Sequence, residues 1–229
     1  MSLRLFLDSA DAAQWRAWLP SGLFYGVTTN PTLLRRAGLP SAIASLRALT
    51  HEATALGARE IHLQAWGGSA EAYYACGQEL AGIDAARICV KLPLTRAGSV
   101  AAGRLLELGV RVTLTTCFDA SQLLVAAALG VDYAAPYLGR ICDAGRDGHA
   151  EVIAMQRVVT GVGARVRVLV ASLRNLSDLS RLAGAGLQTF TLAVPLVEAL
   201  LQQPQTLAAA QEFEAAARAP SCGDPVRPR

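Results

Sequence analysis

Lys91, within Arg87-Ile-Cys-Val-Lys-Leu-Pro-Leu94, is the only lysine in a chain of 229 residues whose other 20 basic side chains are all arginine. Arginine supplies positive charge wherever charge is enough, but it cannot lose its proton and act as an amine nucleophile. A single lysine between Val90 and Leu92 therefore points to chemistry through its nitrogen. Desolvation disfavours an ammonium, and a neutral amine can attack a ketone. The protonated Schiff base so formed is an electron sink for breaking or making the adjacent C–C bond. Read by itself, a lysine near a strand end is an ordinary snorkelling side chain. Its surroundings decide between the two.

Other polar side chains recur where apolar runs end: Asp8, Thr28, Gln64, Thr115, Tyr137 and Ser172, with Asn30 and Arg140 in adjacent loops. Asp8 could hold the lysine or take a substrate hydroxyl proton. Tyr137, alone or through a water held by Gln64 and Thr115, could carry the remaining proton. Arg140 and Ser172 suggest a phosphate site, because arginine forks suit phosphate oxygens and Ser172 precedes a short helix. Singly, each has a bland reading: a helix cap, barrel filling, a buried aromatic or a solvated charge. Their common position is what favours function.

That position depends on the elements. Leu3–Asp8, Leu23–Thr28, Glu60–Ala65, Arg87–Leu94, Arg111–Thr115, Asp132–Ala135, Arg165–Ala171 and Gln188–Leu192 read as strands, with helical segments between them. An open doubly wound sheet and a closed barrel would both give this alternation. Parity separates them. Leu5 and Leu7, Ile61 and Leu63, Val90 and Leu92, and Val112 and Leu114 fall on one face. Asp8, Gln64, Lys91 and Thr115 fall on the other, toward its C-terminal end. A doubly wound sheet would be apolar on both faces. One aliphatic and one mixed face predict a single α/β domain, a (β/α)8 TIM barrel whose mouth holds a site. It spans residues 1–218, including a further C-terminal helix, with 219–229 as a disordered tail.

Composition removes other classes. The net charge of +3 and the scattered arginines leave no nucleic-acid surface, and no apolar stretch is long enough to span a membrane. Five widely spaced cysteines without a C-x-x-C pair, and three histidines without ligand spacing, predict reduced thiols in a cytoplasmic enzyme and no metal. No P-loop, dinucleotide fingerprint or G-x-S-x-G elbow occurs.

Several stretches together resemble the small transaldolase/fructose-6-phosphate aldolase family of class I, Schiff-base enzymes on a barrel. They are Leu5-Phe-Leu-Asp8, Gly26-Val-Thr-Thr-Asn-Pro31, Val90-Lys-Leu-Pro-Leu-Thr95 with Gly98, Ala135-Pro-Tyr-Leu-Gly-Arg140 with Asp143 and Gly148, and Leu169-Val-Ala-Ser172. The resemblance implies that Lys91 forms the Schiff base beside Asp8, that Thr28 and Asn30 contact the dihydroxyacetone moiety, and that Arg140 and Ser172 hold a phosphate. It implies sugar-phosphate and dihydroxyacetone-type substrates, no cofactor, and a homo-oligomer, often a decamer, with Leu207 and Phe213 of the final helix packed on a neighbour.

Within that family, transaldolases usually carry glutamate at the position of Gln64 and phenylalanine at that of Tyr137, whereas the aldolases carry glutamine and tyrosine. The chain therefore reads as an aldolase cleaving or forming fructose 6-phosphate. Gly139 and the loop 143–148 resemble the short transaldolases, which transfer dihydroxyacetone in the pentose phosphate pathway. A sugar-phosphate-binding barrel without catalysis is the alternative from another class, and it gives the lone lysine no task.

Overall fold

The computed structural model describes residues 2–218. Eight parallel strands, β1 (Arg4–Asp8), β2 (Gly26–Thr28), β3 (Glu60–Gln64), β4 (Ile88–Pro93), β5 (Arg111–Cys117), β6 (Tyr133–Pro136), β7 (Arg167–Val170) and β8 (Thr189–Leu192), pair in chain order. β8 returns to pair with β1 and closes the barrel. Around it lie α1 (Ala12–Trp18), α2 (Pro31–Arg36), α3 (Ile43–Ala55), α4 (Ala70–Ala81), α5 (Arg96–Glu107), α6 (Gln122–Leu129), α7 (Leu138–Asp143), α8 (Gly148–Gly161), α9 (Leu176–Gly184), α10 (Val194–Leu201) and α11 (Pro204–Arg218). The expected tail lies outside the described residues. No helix among them is long and apolar enough to cross a membrane.

The parity expected from sequence is the parity observed. Leu7, Val27, Ile61, Leu63, Val90 and Leu92 pack outward in the large core between strands and helices. Phe6, Cys89, Tyr133, Ala135 and Leu169 form a separate apolar layer inside the barrel. A slip of one residue in β4 would bury Val90 in the barrel and turn Lys91 into the helix layer. Burial of Val90 and Leu92 thus fixes the lysine's direction.

Several boundaries differ from those expected. β2 is only three residues long, because Leu19–Ser21 forms a 3-10 turn and Gly22 adopts φ 73° to redirect the chain. Gly26 is fixed by contact, since a Cβ there would overlap the carbonyl oxygen of Glu60 on β3. β5 runs two residues further than expected, through an irregularity between Thr115 and Cys117.

The inner face is polar at both ends, not only at the C-terminal one. Below the apolar layer Glu60, its side chain 2% exposed, meets Arg111, Arg4 at 3.7 Å and His62 at 2.8 Å. Arg4 also donates to the Tyr133 hydroxyl. Burial would raise the Glu60 carboxyl, but hydrogen bonds from His62 and Tyr133 and the Arg111 charge outweigh it and bring it down to about 2. Burial lowers His62, against the pull of Glu60, which favours the neutral ring. Nε2–H then donates to the carboxylate, and Nδ1 accepts from the Thr113 hydroxyl 2.9 Å away. The Cys89 thiol, 3.2 Å from Thr113, completes the chain.

Candidate active site

All nine side chains singled out from sequence line one cavity of about 470 Å³ at the C-terminal end of the barrel. Lys91 reaches it from β4 and is 5% exposed. Its Nζ donates to the Thr29 carbonyl at 2.9 Å, a contact that holds the amine toward the end of β2. Gly98 supports this from behind, since a Cβ there would overlap the Pro93 carbonyl and push α5 off the end of Lys91's strand.

Asp8 shares the cavity from β1. Burial raises its carboxyl above the usual value, opposed by the Lys91 charge, by the Thr28 hydrogen bond and by Arg36. Thr28 is committed to this carboxylate, donating to Oδ1 at 2.7 Å, rather than standing free for a ligand. Asn30 is likewise partly committed. Its Oδ1 accepts from the Thr32 and Leu33 backbone N–H groups and caps α2, which leaves its amide NH2 as the donor available to the cavity.

On the other side, the Thr115 and Tyr137 hydroxyls lie 2.8 Å apart. Phe118 meets the Tyr137 ring edge-on at 6.0 Å between centroids, and the Arg140 guanidinium lies 4.9 Å from the ring centroid. Gln64 donates through Nε2 to the Lys91 carbonyl at 3.2 Å, so its Oε1 is the end free to accept. Tyr137, Thr115 and Gln64 thus surround Lys91 with groups able to hold a small polar molecule.

Two expectations at the phosphate end need correction. Arg140 lies on the short helix α7, with Tyr137 as its first flanking residue, and not in a loop. Ser172 does not precede a helix N-terminus: α9 begins only at Leu176, capped by Asn175. The N–H groups that open α7 are already used, Leu138 by the Ala171 carbonyl and Gly139 by that of Ser172. The Ser172 hydroxyl and the Arg140 guanidinium line the cavity there without a free helix end beside them. Gly139 is required by this packing, because a Cβ would lie 2.6 Å from both the Ser172 carbonyl oxygen and Arg174 Nε. Arg174 itself is paired with Asp143 at 2.6 Å and does not line the cavity.

Ser172 at φ 60° and Thr116 at φ 61° are the non-glycine residues in left-handed conformation among those described, and both line the cavity. Such strain costs on the order of 1–3 kcal/mol per residue and gathers where side chains are aimed for function.

Sequence reasoning missed Arg36 and Thr191, which also line the cavity. Thr191 shares the inward parity of its strand, opposite Phe190 and Leu192, so the rule that found Thr115 would have found it. Arg36 carried no signal, since the curl of α2 over the mouth brings it there. Among the described residues neither Arg36 nor Arg140 forms an ion pair, and none joins Asp8 to Lys91. No group of three His, Cys, Asp or Glu among the described residues is placed to hold a metal ion.

Comparison with known proteins points to one family. Residues 5–224 match the model of the family described as Transaldolase/Fructose-6-phosphate aldolase. A protein named "Probable transaldolase" from Phenylobacterium zucineum is 30% identical over 92% of this chain and 94% of its own. One of the same name from Oceanobacillus iheyensis is 32% identical over 92% of this chain and 96% of its own. A crystal structure of a candidate lyase/mutase from Burkholderia cenocepacia superposes with a TM-score of 0.62 at 16% identity, covering 96% of this chain and 89% of that one, which supports the fold. With a lone lysine buried in the mouth of a closed eight-stranded barrel and a family match over almost its whole length, the chain belongs to the transaldolase/fructose-6-phosphate aldolase family and is an enzyme of its Schiff-base type.

Proposed function

We propose that the protein is a class I aldolase that cleaves or forms fructose 6-phosphate through a Schiff base on Lys91. The observation that carries this reading is the placement of the chain's one ε-amine, held on the Thr29 carbonyl in a cavity shared with Asp8, Gln64, Thr115 and Tyr137. Attack of Nζ on the ketone carbon and loss of water give the iminium. A base removes the C4 hydroxyl proton, the C3–C4 bonding pair moves into the iminium, and glyceraldehyde 3-phosphate leaves. Protonation of the resulting enamine and hydrolysis release dihydroxyacetone and free the lysine.

Asp8, which shares the cavity with the amine, is the base and acid, and its raised carboxyl suits both tasks. The Asn30 amide donates to a donor-end hydroxyl, and Thr28 acts by holding Asp8. Gln64 Oε1, the Thr115 hydroxyl and the Tyr137 hydroxyl hold the water that protonates the enamine. The Thr115–Tyr137 hydrogen bond favours the aldolase, since phenylalanine at 137 could not make it. Arg140 and Ser172 take the 6-phosphate. The exposed α11, with no buried residue and Phe213 73% exposed, is the element we assign to contacts in a homo-oligomer.

A second reading, transaldolase, is favoured by the names of the relatives and by Gly139, which this packing requires. Borohydride reduction with fructose 6-phosphate tests the common step: mass addition on Lys91 is expected, and an unmodified Lys91 overturns both readings. Fructose 6-phosphate alone then separates them. Accumulation of free dihydroxyacetone supports the aldolase. Transfer to erythrose 4-phosphate without such accumulation overturns it in favour of transaldolase.

A further inference from the structure

Asp8, Thr28 and Thr191 meet where the chain closes on itself. Asp8 is in register with Thr28 across β1 and β2, and Phe6 with Thr191 across β1 and β8. The Thr28 hydroxyl lies 2.7 Å from Asp8 Oδ1 and 2.5 Å from Thr191 Oγ1. With Thr28 1% and Thr191 4% exposed, solvent barely reaches either residue.

A threonine hydroxyl has one hydrogen to donate. While Asp8 is a carboxylate, Thr28 spends that hydrogen on Oδ1, so the hydrogen between the two threonines must come from Thr191. When Oδ1 carries a proton, the direction reverses. Asp8 donates to Thr28, Thr28 turns to Thr191, and the Thr191 hydrogen turns into the cavity that its side chain lines. The three oxygens keep their places in both states, and only hydroxyl rotations differ.

We propose that Thr191 is a positioning residue for the acid–base cycle of Asp8, holding Thr28 on the carboxyl in both protonation states so that Asp8 gives and takes a proton without moving. This deepens the Schiff-base reading and rests on it. The charged groups that face Asp8 are Lys91 from β4 and Arg36 from α2. Asp11, ahead of α1, shares with Asp8 a smaller adjoining cavity. β2 and β8 present only the two hydroxyls at this level, so Thr191 is a lever on Asp8 that changes no charge.

The test compares wild type, Thr191→Val and Thr191→Ser in fructose 6-phosphate cleavage across pH, with borohydride trapping on Lys91 run in parallel. Thr191→Val removes the hydroxyl that completes both states. The acidic limb of its kcat profile is expected to move by roughly half a pH unit, with kcat lower by about tenfold and trapping retained. Thr191→Ser is expected to restore the wild-type limb. Should valine prevent folding, Thr191→Ala removes the same hydroxyl and must show the same shift. A wild-type limb in the valine or alanine variant overturns the proposal, as does a serine variant that behaves like them. If wild type itself fails to trap the ketose on Lys91, the Schiff-base reading falls and this inference with it. Normal trapping with an unmoved limb removes this inference alone.

Discussion

At the N-terminal end of the barrel Glu60 is enclosed by Arg4, Arg111 and His62, and each of these groups has a side-chain partner. At the C-terminal end Asp8, Lys91, Arg36 and Arg140 line one cavity and make no ion pair among the described residues. Removing a charge from water is costly unless it is paired; Glu60 is buried at the lower end and Lys91 at the upper, where Arg36 and Arg140 stay exposed. The lower end offsets that cost within itself and is closed to chemistry. The upper end leaves an amine, a carboxyl and two guanidinium groups for a substrate to satisfy. The two inward carboxyls differ accordingly, Glu60 brought down to about 2 and Asp8 pushed above its ordinary value.

Substitutions at the two ends should therefore diverge. The largest effect is expected for Lys91→Arg, which keeps the charge and removes the nucleophile. Turnover should fall by at least ~10⁴-fold and borohydride trapping should disappear, while the denaturation midpoint stays close to wild type. A parallel loss of stability would show that the mouth, too, is structural.

Next comes Glu60→Ala, which leaves Arg4, Arg111 and His62 without their carboxylate. A loss of about 3 kcal/mol in urea denaturation is expected, with kcat of the folded protein unchanged. The same group sets an acid limit. Its folded value of about 2 lies below the ordinary 4.5 of a glutamate, so its stabilisation is present above pH 4.5 and lost as pH falls toward 2. In the variant, that part of the decline in stability below pH 4.5 should be missing.

Tyr137→Phe removes one hydroxyl from the mouth and its bond to Thr115. Free aldol cleavage is expected to slow by roughly 10–100-fold and transfer to an aldehyde acceptor by less, read from the two rates side by side. Equal slowing would place Tyr137 in the step common to both reactions.

A small effect on stability is expected in Asp8→Asn. Because burial raises the Asp8 carboxyl, its ionised form costs stability above the raised value, and the cost fades as pH drops through it. Asparagine should therefore raise stability at neutral pH by up to about 1 kcal/mol while lowering activity. Loss of stability would show that the Thr28 hydrogen bond outweighs the burial.

Much of the mouth was legible because strand parity is local. Val90 and Leu92 face the helices, so Lys91 faces the axis, and the same count places Gln64, Thr115 and Asp8. It also covered Thr191, although that residue was not picked out. Arg4 and His62 were on the inner face as well, but nothing in their spacing says that Glu60 gathers them. Ser172 was misread because Leu173 and Leu176 suit a helix starting earlier than the Asn175 cap allows.

The sequence by itself determined the alternation of strands and helices, the face each strand turns inward and the singular position of Lys91, because these follow from periods of two and 3.6 residues and from composition. Only the tertiary structure decided the hydrogen-bond partners. Thr28 and Thr191 are 163 residues apart and meet through the pairing of β1 with β8. Arg36 reaches the cavity through the path of α2, and Ser172 through a left-handed turn. Closure and loop paths are set by contacts between distant segments, and no local period in the chain encodes them.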